Sequence, residues 1–355
     1  MTMSRFGKAW ALALGLGIGV SLAFSQPSLA RETGLEDEPG GGTNGSSADN
    51  IPVGIVMVEQ FFTNQFESNV GAGAPLAYTA GKPPNSKAFV NANVFIFNPG
   101  WTFLGATTQF IFVQPFVEVD TGNNPGPFGG TTVGVNDQLF KADAAWKFGD
   151  LHIKVALGAW APGGTIQGPA GLNNVGLPFW TIQPEFAISW EPESWNFTAY
   201  TYWEIDTQNS VTRYQNAPLF HADFTATKTI GGWTFGPVAD YWTTVGNDSS
   251  SNFYAVGISP YAFCAGPVGF QCLFAQNQSR FSVGGLLQYN FGPVTVQFWA
   301  TDIVYSHASN GSLNANGIDT TAVQSNGYTL WVQASWALWT PPAAPAPAKQ
   351  PLIYK

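Results

Sequence analysis

The chain has 355 residues, of which 10% are charged and 15% aromatic, with 40 Gly, 25 Pro and a formal net charge of −9. Ordinary soluble domains carry about 25% charged residues, so a conventional water-facing surface is excluded, whereas a surface facing lipid needs no charge over its apolar band. The acidic balance also excludes nucleic acid as a partner.

Residues 1–30 read as a separate object. Arg5 and Lys8 precede an apolar run over 9–24, and Ser28-Leu29-Ala30 follows as a small-x-small cleavage site, the pattern of a secretory signal peptide. The run is shorter than the about 20 residues of a spanning helix, which argues against a retained anchor. Cleavage would remove Arg5 and Lys8 and take the net charge from −9 to −11. No second apolar run of spanning length follows, so no transmembrane helix is expected. Residues 31–50, acidic and Gly/Ser-rich without periodicity, read as a flexible lead-in.

From residue 51 to 339 the pattern has period two, the mark of strands with two unlike faces. In 180–190, Trp180, Ile182, Phe186, Ile188 and Trp190 alternate with Thr181, Gln183, Glu185 and Ser189. In 195–206, Trp195, Phe197, Ala199, Trp203 and Ile205 oppose Asn196, Thr198, Tyr200, Tyr202, Glu204 and Asp206. Strands are expected at about 53–63, 88–98, 102–119, 137–148, 150–161, 178–190, 195–207, 220–230, 233–246, 280–291, 294–306 and 327–339. The joints alternate in length. Short ones fall at 99–100, 149, 191–194, 231–232 and 292–293, and long ones at 64–87, 120–136, 162–177, 208–219, 247–279 and 307–326.

Short turns on one rim and long loops on the other predict an all-β fold, a transmembrane antiparallel up-and-down β-barrel of about 12 strands of the outer-membrane type. An even strand number leaves both termini in the periplasm, with the long loops extracellular. Trp101, Trp180, Trp190, Trp195, Trp233, Tyr289 and Trp336 fall near strand ends, where interfacial aromatic girdles sit. A soluble sandwich would share the signal and the strands, but not the regular short–long rhythm. Residues 340–355 are Pro/Ala-rich and cannot extend a sheet; they read as a periplasmic tail. Cys264 and Cys272 share one Gly/Pro-rich loop of an exported chain, and a local disulfide is expected there.

If the polar faces point inward, the lumen collects Glu118, Lys141, Asp143, His152, Lys154, Glu185, Glu204, His221, Asp223 and Asp240. Such residues either set the field that a solute meets or pair with one another to stiffen a narrow barrel. Acids outnumber bases among them, which argues against anion selectivity. Phe89, Phe95, Phe97, Phe110, Phe112, Trp160, Tyr200, Tyr202 and Trp331 read as inward aromatics that suit an apolar solute or plain packing. Eight strands leave a lumen that side chains fill, while 16–18 leave an aqueous channel. Twelve therefore predict a narrow or partly plugged path, with loop 247–279 or the lead-in 31–50 as plug. No catalytic motif, phosphate loop or metal-ligand spacing appears, so neither an enzyme nor a cofactor is expected. A barrel whose long loops bind an external partner is the alternative.

The segment 149–164 (GDLHIKVALGAWAPGG) and the stretch 176–227 resemble the outer-membrane transporter family named after the meta-cleavage pathway of phenol degradation. The resemblance includes a loop of the type carried here by Asn209, Thr212, Tyr214 and Gln215, followed by Phe220, His221 and Asp223. Residues 98–120 are similar to that family's second hairpin. The resemblance implies a barrel that takes up aromatic or other hydrophobic small-molecule solutes. Its partners would be outer-membrane lipid and lipopolysaccharide, together with the barrel-assembly machinery. The Cys264–Cys272 loop and the Pro-rich tail depart from the family pattern.

Overall fold

A computed structural model describes residues 36–70, 86–120, 131–165, 175–210, 214–246, 249–250, 277–309 and 324–342. The expected signal peptide, Thr212, both cysteines and the end of the tail lie outside the described residues.

Twelve long strands build the structure: β1 (Gly54–Val70), β2 (Ser86–Asn98), β3 (Ala106–Asp120), β4 (Gln138–Phe148), β5 (Leu151–Ala161), β6 (Thr181–Trp190), β7 (Trp195–Asp206), β8 (Leu219–Ile230), β9 (Trp233–Thr244), β10 (Asn277–Asn290), β11 (Val294–Ser309) and β12 (Gln324–Trp339). Each pairs antiparallel with the next, and β12 returns to β1, with Asn64 opposite Thr329 and Ile55 opposite Trp339. The result is a closed twelve-stranded up-and-down barrel with no helix among the described residues. Closure removes the sheet edges, so every strand's backbone groups find partners without water, which a lipid environment demands.

The faces follow the period of two. On β6, Thr181, Gln183 and Ser189 are fully buried inside, while Ile182 and Trp190 stand outside, 38% and 54% exposed. The outer wall carries exposed Leu157, Val155, Leu287 and Val332, an apolar belt of the kind lipid requires. At the short-turn rim, Trp190 stacks on Phe197, and Phe197 on Trp195; Trp233 packs against Tyr289, and Tyr289 against Phe291. These rings form an aromatic girdle. Above it Lys228 lays its ammonium over Trp195, 4.5 Å from the ring centre, so its stem covers apolar surface while its charge stays at the rim.

Three local features differ from the sequence expectation. The joint after β2 runs from 99 to 105, because Thr102–Phe103 folds back on Ala106–Thr107 through a tight turn with Leu104 at φ 49 and Gly105 at φ 81. Residues 131–135, expected in a loop, form a strand on the far half of β3, with Val135 opposite Phe116. β1 extends to Val70, seven residues past its expected end, through a register shift between Phe66 and Ser68. Its Gln, Asn and Ser there hid the alternation.

The barrel is coiled so tightly between β10 and β11 that Gly284 has no room for a side chain. A Cβ there would collide with the carbonyl oxygen of Ala300 on the neighbouring strand. Because the obstacle is backbone, no rotamer change relieves it. Gly284→Val is expected to abolish the heat-modifiable gel migration of the folded barrel; wild-type migration would contradict this close approach.

Candidate functional site

Of the two plug candidates, most of loop 247–279 lies outside the described residues, while residues 36–50 are not a flexible lead-in but an ordered segment inside the barrel. They fold through its lumen as a chain of turns, with backbone hydrogen bonds from Gly42 to Pro39, Asn44 to Gly41 and Ser46 to Thr43. The Gly-rich sequence is what permits this. Gly41 and Gly45 have φ of 88° and 86°, and a Cβ on Gly45 would meet Gln297 at 2.5 Å and Leu286 at 2.6 Å.

The barrel wall satisfies the inner segment's backbone. Glu204 accepts the N–H of Glu38 at 2.8 Å and of Asp37 at 3.4 Å. Asp223 accepts the N–H of Gly41 at 3.0 Å and of Thr43 at 3.1 Å, together with the Thr43 hydroxyl at 2.8 Å. Thr225 and Ser189 accept from Gly45 and Ala48. In the other direction, Gln297 donates to the Asn44 carbonyl, Trp299 to that of Gly41 and Lys154 to that of Asp49. Buried N–H groups without partners would each cost about 1–3 kcal/mol, so this ladder explains why a turn-rich segment sits inside a barrel.

The remaining expected lumen residues other than Glu118 also point inward, on β4 to β9. Lys141 donates to both oxygens of Glu185 at 3.0 Å, and Glu185 also accepts from Gln183 and the Tyr200 hydroxyl. Asp143 accepts from Gln109 at 2.8 Å, and Asp240 from Ser282 at 3.0 Å. His221 is fully buried and stacks on Tyr202, ring centres 4.3 Å apart. His152 is buried at the short-turn rim beside Asp49 and Glu191. The charges thus mostly hold one another or the inner segment.

Glu118 is different. It lies on the outer face of β3, exposed, two residues from the strand end. The inward positions of β3 are Gln109, Ile111, Val113, Pro115, Val117 and Val119. Assuming that charge marks the inner face inverts this strand, because here the aliphatics face inward and Glu118 reaches out near the rim, where a long side chain can stay hydrated. For the same reason Phe89, Phe95, Phe97 and Phe110 face outward, all exposed. Phe112 joins them, packed on Phe95 and Phe140. Trp160, Tyr200, Tyr202 and Trp331 are inside, as expected.

The inverted strands create the second half of the lumen. Between the inner segment and the wall lies a cavity of about 400 Å³. Its wall side is largely apolar, with Phe62 from β1, Ala88, Val90, Ala92 and Val94 from β2, Ile111, Val113 and Val117 from β3, Leu139 from β4, Trp160 from β5 and Trp331 from β12, beside the polar Gln60, Asn64, Gln109, Thr329 and Gln333. Lys141, Asp143, Lys154 and Arg280 border its polar side. Sequence reading missed Arg280, which is buried, faces Trp242 and lies 3.8 Å from Glu36. A lone Arg in a Ser-rich strand start was the available signal. It also missed Gln109 and Gln297, neutral polar residues that the alternation places inward but that carry no charge to attract notice, whereas Gln183 is buried on the polar face expected of it.

The family-like loop lies at the long-loop rim. Asn209 is buried, Gln215 donates to the Asp206 carbonyl at 2.7 Å, and Tyr214–Gln215 pair with Ser249–Ser250. Asp206 joins the rim, accepting from Thr181 and Asn216, each at 2.7 Å. These contacts tie the loop back to the end of β7.

The family model described as "Putative MetA-pathway of phenol degradation" matches residues 63–310. Among solved structures, the COG4313 outer membrane channel from Pseudomonas putida F1 is similar with a TM-score of 0.63 at 12% identity, over 81% of this chain and 97% of that one. The NanC porin gives a TM-score of 0.37 at 11% identity, over 80% of this chain and 100% of that one. The β domain of the Bordetella autotransporter BrkA gives 0.40 at 12% identity, over 80% and 99%. No curated protein matches the sequence.

Proposed function

Because the chain belongs to the family of the MetA-pathway of phenol degradation, we propose that it is an outer-membrane channel for small apolar solutes of aromatic size. On this reading residues 1–30 export the chain, the short turns and both termini face the periplasm, and the long loops face outward. The barrel is a conduit and carries out no chemistry on its solute.

The observation that carries this reading is the apolar cavity beside the inner segment. A general porin has a polar, water-filled interior. Here one half of the lumen is lined by aliphatic and indole groups over a volume of about 400 Å³, within the range that binds small organic molecules. An apolar solute gains the burial of its surface there, about 25 cal/mol per Å², while a sugar would lose hydrogen bonds to water without replacement. Trp160 and Trp331 both border the cavity. Toluene added to the purified protein should therefore change tryptophan fluorescence saturably, with a smaller change in Trp160→Phe and none on adding glucose. A linear, unsaturable response equal in both proteins would rule the cavity out as a binding site.

Glu185→Gln separates the field of the lumen from its shape. The substitution keeps the volume but leaves the buried Lys141 ammonium without its main counter-charge. The barrel should assemble, and the reversal potential in a planar bilayer should shift toward anions. An unchanged reversal potential would show that ions pass elsewhere.

A further inference from the structure

Three groups far apart in sequence meet where the inner segment leaves the barrel at the short-turn rim. Asp49 ends that segment, His152 opens β5 and Glu191 begins the turn after β6. One oxygen from each carboxylate and one ring nitrogen lie within 4.8 Å of one another.

The imidazole shows what the cluster lacks. His152 is 2% exposed, and its Nε2 lies 3.2 Å from the carbonyl oxygen of Gly149. A carbonyl only accepts, so Nε2 carries the proton and the lone pair of the neutral ring is on Nδ1. That nitrogen points at Asp49 Oδ2, 3.1 Å away, and at Glu191 Oε1, 3.5 Å away. The buried Nδ1 and Glu191 Oε1 make no hydrogen bond. Three electron-pair donors thus converge on one point, with no proton between the imidazole and either carboxylate. Backbone donation from the other ring nitrogen is how metal-bound histidines are commonly oriented.

The two distances from the imidazole fit a small divalent ion. Tetrahedral zinc with ligands at about 2.0–2.1 Å sets neighbouring ligand atoms about 3.3 Å apart, and 3.1 and 3.5 Å bracket that edge. One nitrogen and two carboxylates suit a first-row metal; calcium needs six to eight oxygens, more than are present. Asp49 and Glu191 side chains are 36% and 24% exposed, which leaves a route in and a fourth position for water. The Lys147 ammonium lies 3.4 Å from Asp49 Oδ2, but its side chain is 63% exposed and free to swing away.

We propose that Asp49, His152 and Glu191 form a site for a first-row divalent cation of the zinc class, which clips the exit end of the inner segment to the barrel rim. The ion would join residue 49 to two barrel turns and so hold the segment in the lumen from outside its hydrogen-bond ladder.

The test uses the purified full-length barrel without a histidine tag, dialysed against micromolar zinc, with bound metal counted by mass spectrometry. The expected result is one zinc per chain and no calcium uptake. Glu191→Gln and, separately, Asp49→Asn should each weaken zinc binding about tenfold or more, with normal heat-modifiable migration showing that both barrels are folded. Zinc should also slow amide exchange in 46–51 several-fold in the wild type and not in the variants. Substoichiometric zinc, or binding that both variants leave unchanged, would overturn the site.

Discussion

Deleting residues 36–50 is expected to raise single-channel conductance several-fold while leaving the barrel folded. Twelve strands about 4.8 Å apart and tilted about 40° close a cylinder of backbone radius about 12 Å, and the inner segment occupies the polar half of that space. The groups it leaves behind, Glu204, Asp223, Thr225 and Ser189, would be hydrated by the water that replaces it, so no buried charge is stranded. A milder version removes one anchor. Asp223→Ala strands the N–H groups of Gly41 and Thr43, at about 1–3 kcal/mol each while the segment stays docked. Open-state bursts on a low baseline should result, because the segment then samples an undocked state. Wild-type conductance in the deletion would show that passage is limited elsewhere in the barrel.

The second large effect concerns the apolar half. Ala92 lies on the cavity wall against Val113, Leu139 and Trp160. Ala92→Trp would send an indole toward the cavity that Ala92 lines, where the added volume finds room that the packed side of the cluster lacks. It should leave assembly and the ionic field of the polar half unaltered but remove the room that an aromatic solute needs. Solute binding and uptake should fall to the background of a strain without the protein. Uptake equal to wild type, with normal abundance in the membrane, would show that solute does not use this side.

The barrel itself was legible from residues such as Thr181 to Trp190, where polar and apolar side chains alternate without a break and a short turn follows. What the alternation cannot supply is its sign. On β6 and β7 charge marks the inner face, as in Glu185 and Glu204. On β2 and β3 both faces are largely apolar, Phe95 against Val94 and Phe112 against Val113, so the choice fell on the one acid, Glu118, and was inverted. The aliphatic cavity was invisible for the same reason. Residues 36–50 carry the composition of a disordered segment, and only the carboxylates and hydroxyls on distant strands give their backbone a place to fold. The cluster of Asp49, His152 and Glu191 has no sequence spacing to betray it, because three separate turns bring it together.

The most direct test of the account is uptake of a labelled small aromatic at limiting concentration by cells with an intact lipopolysaccharide leaflet. A deletion strain would be complemented with the wild type or with Ala92→Trp at equal abundance. The wild type is expected to restore aromatic uptake and Ala92→Trp is not, with sugar uptake the same in all three strains. Equal aromatic uptake with and without the protein would contradict it.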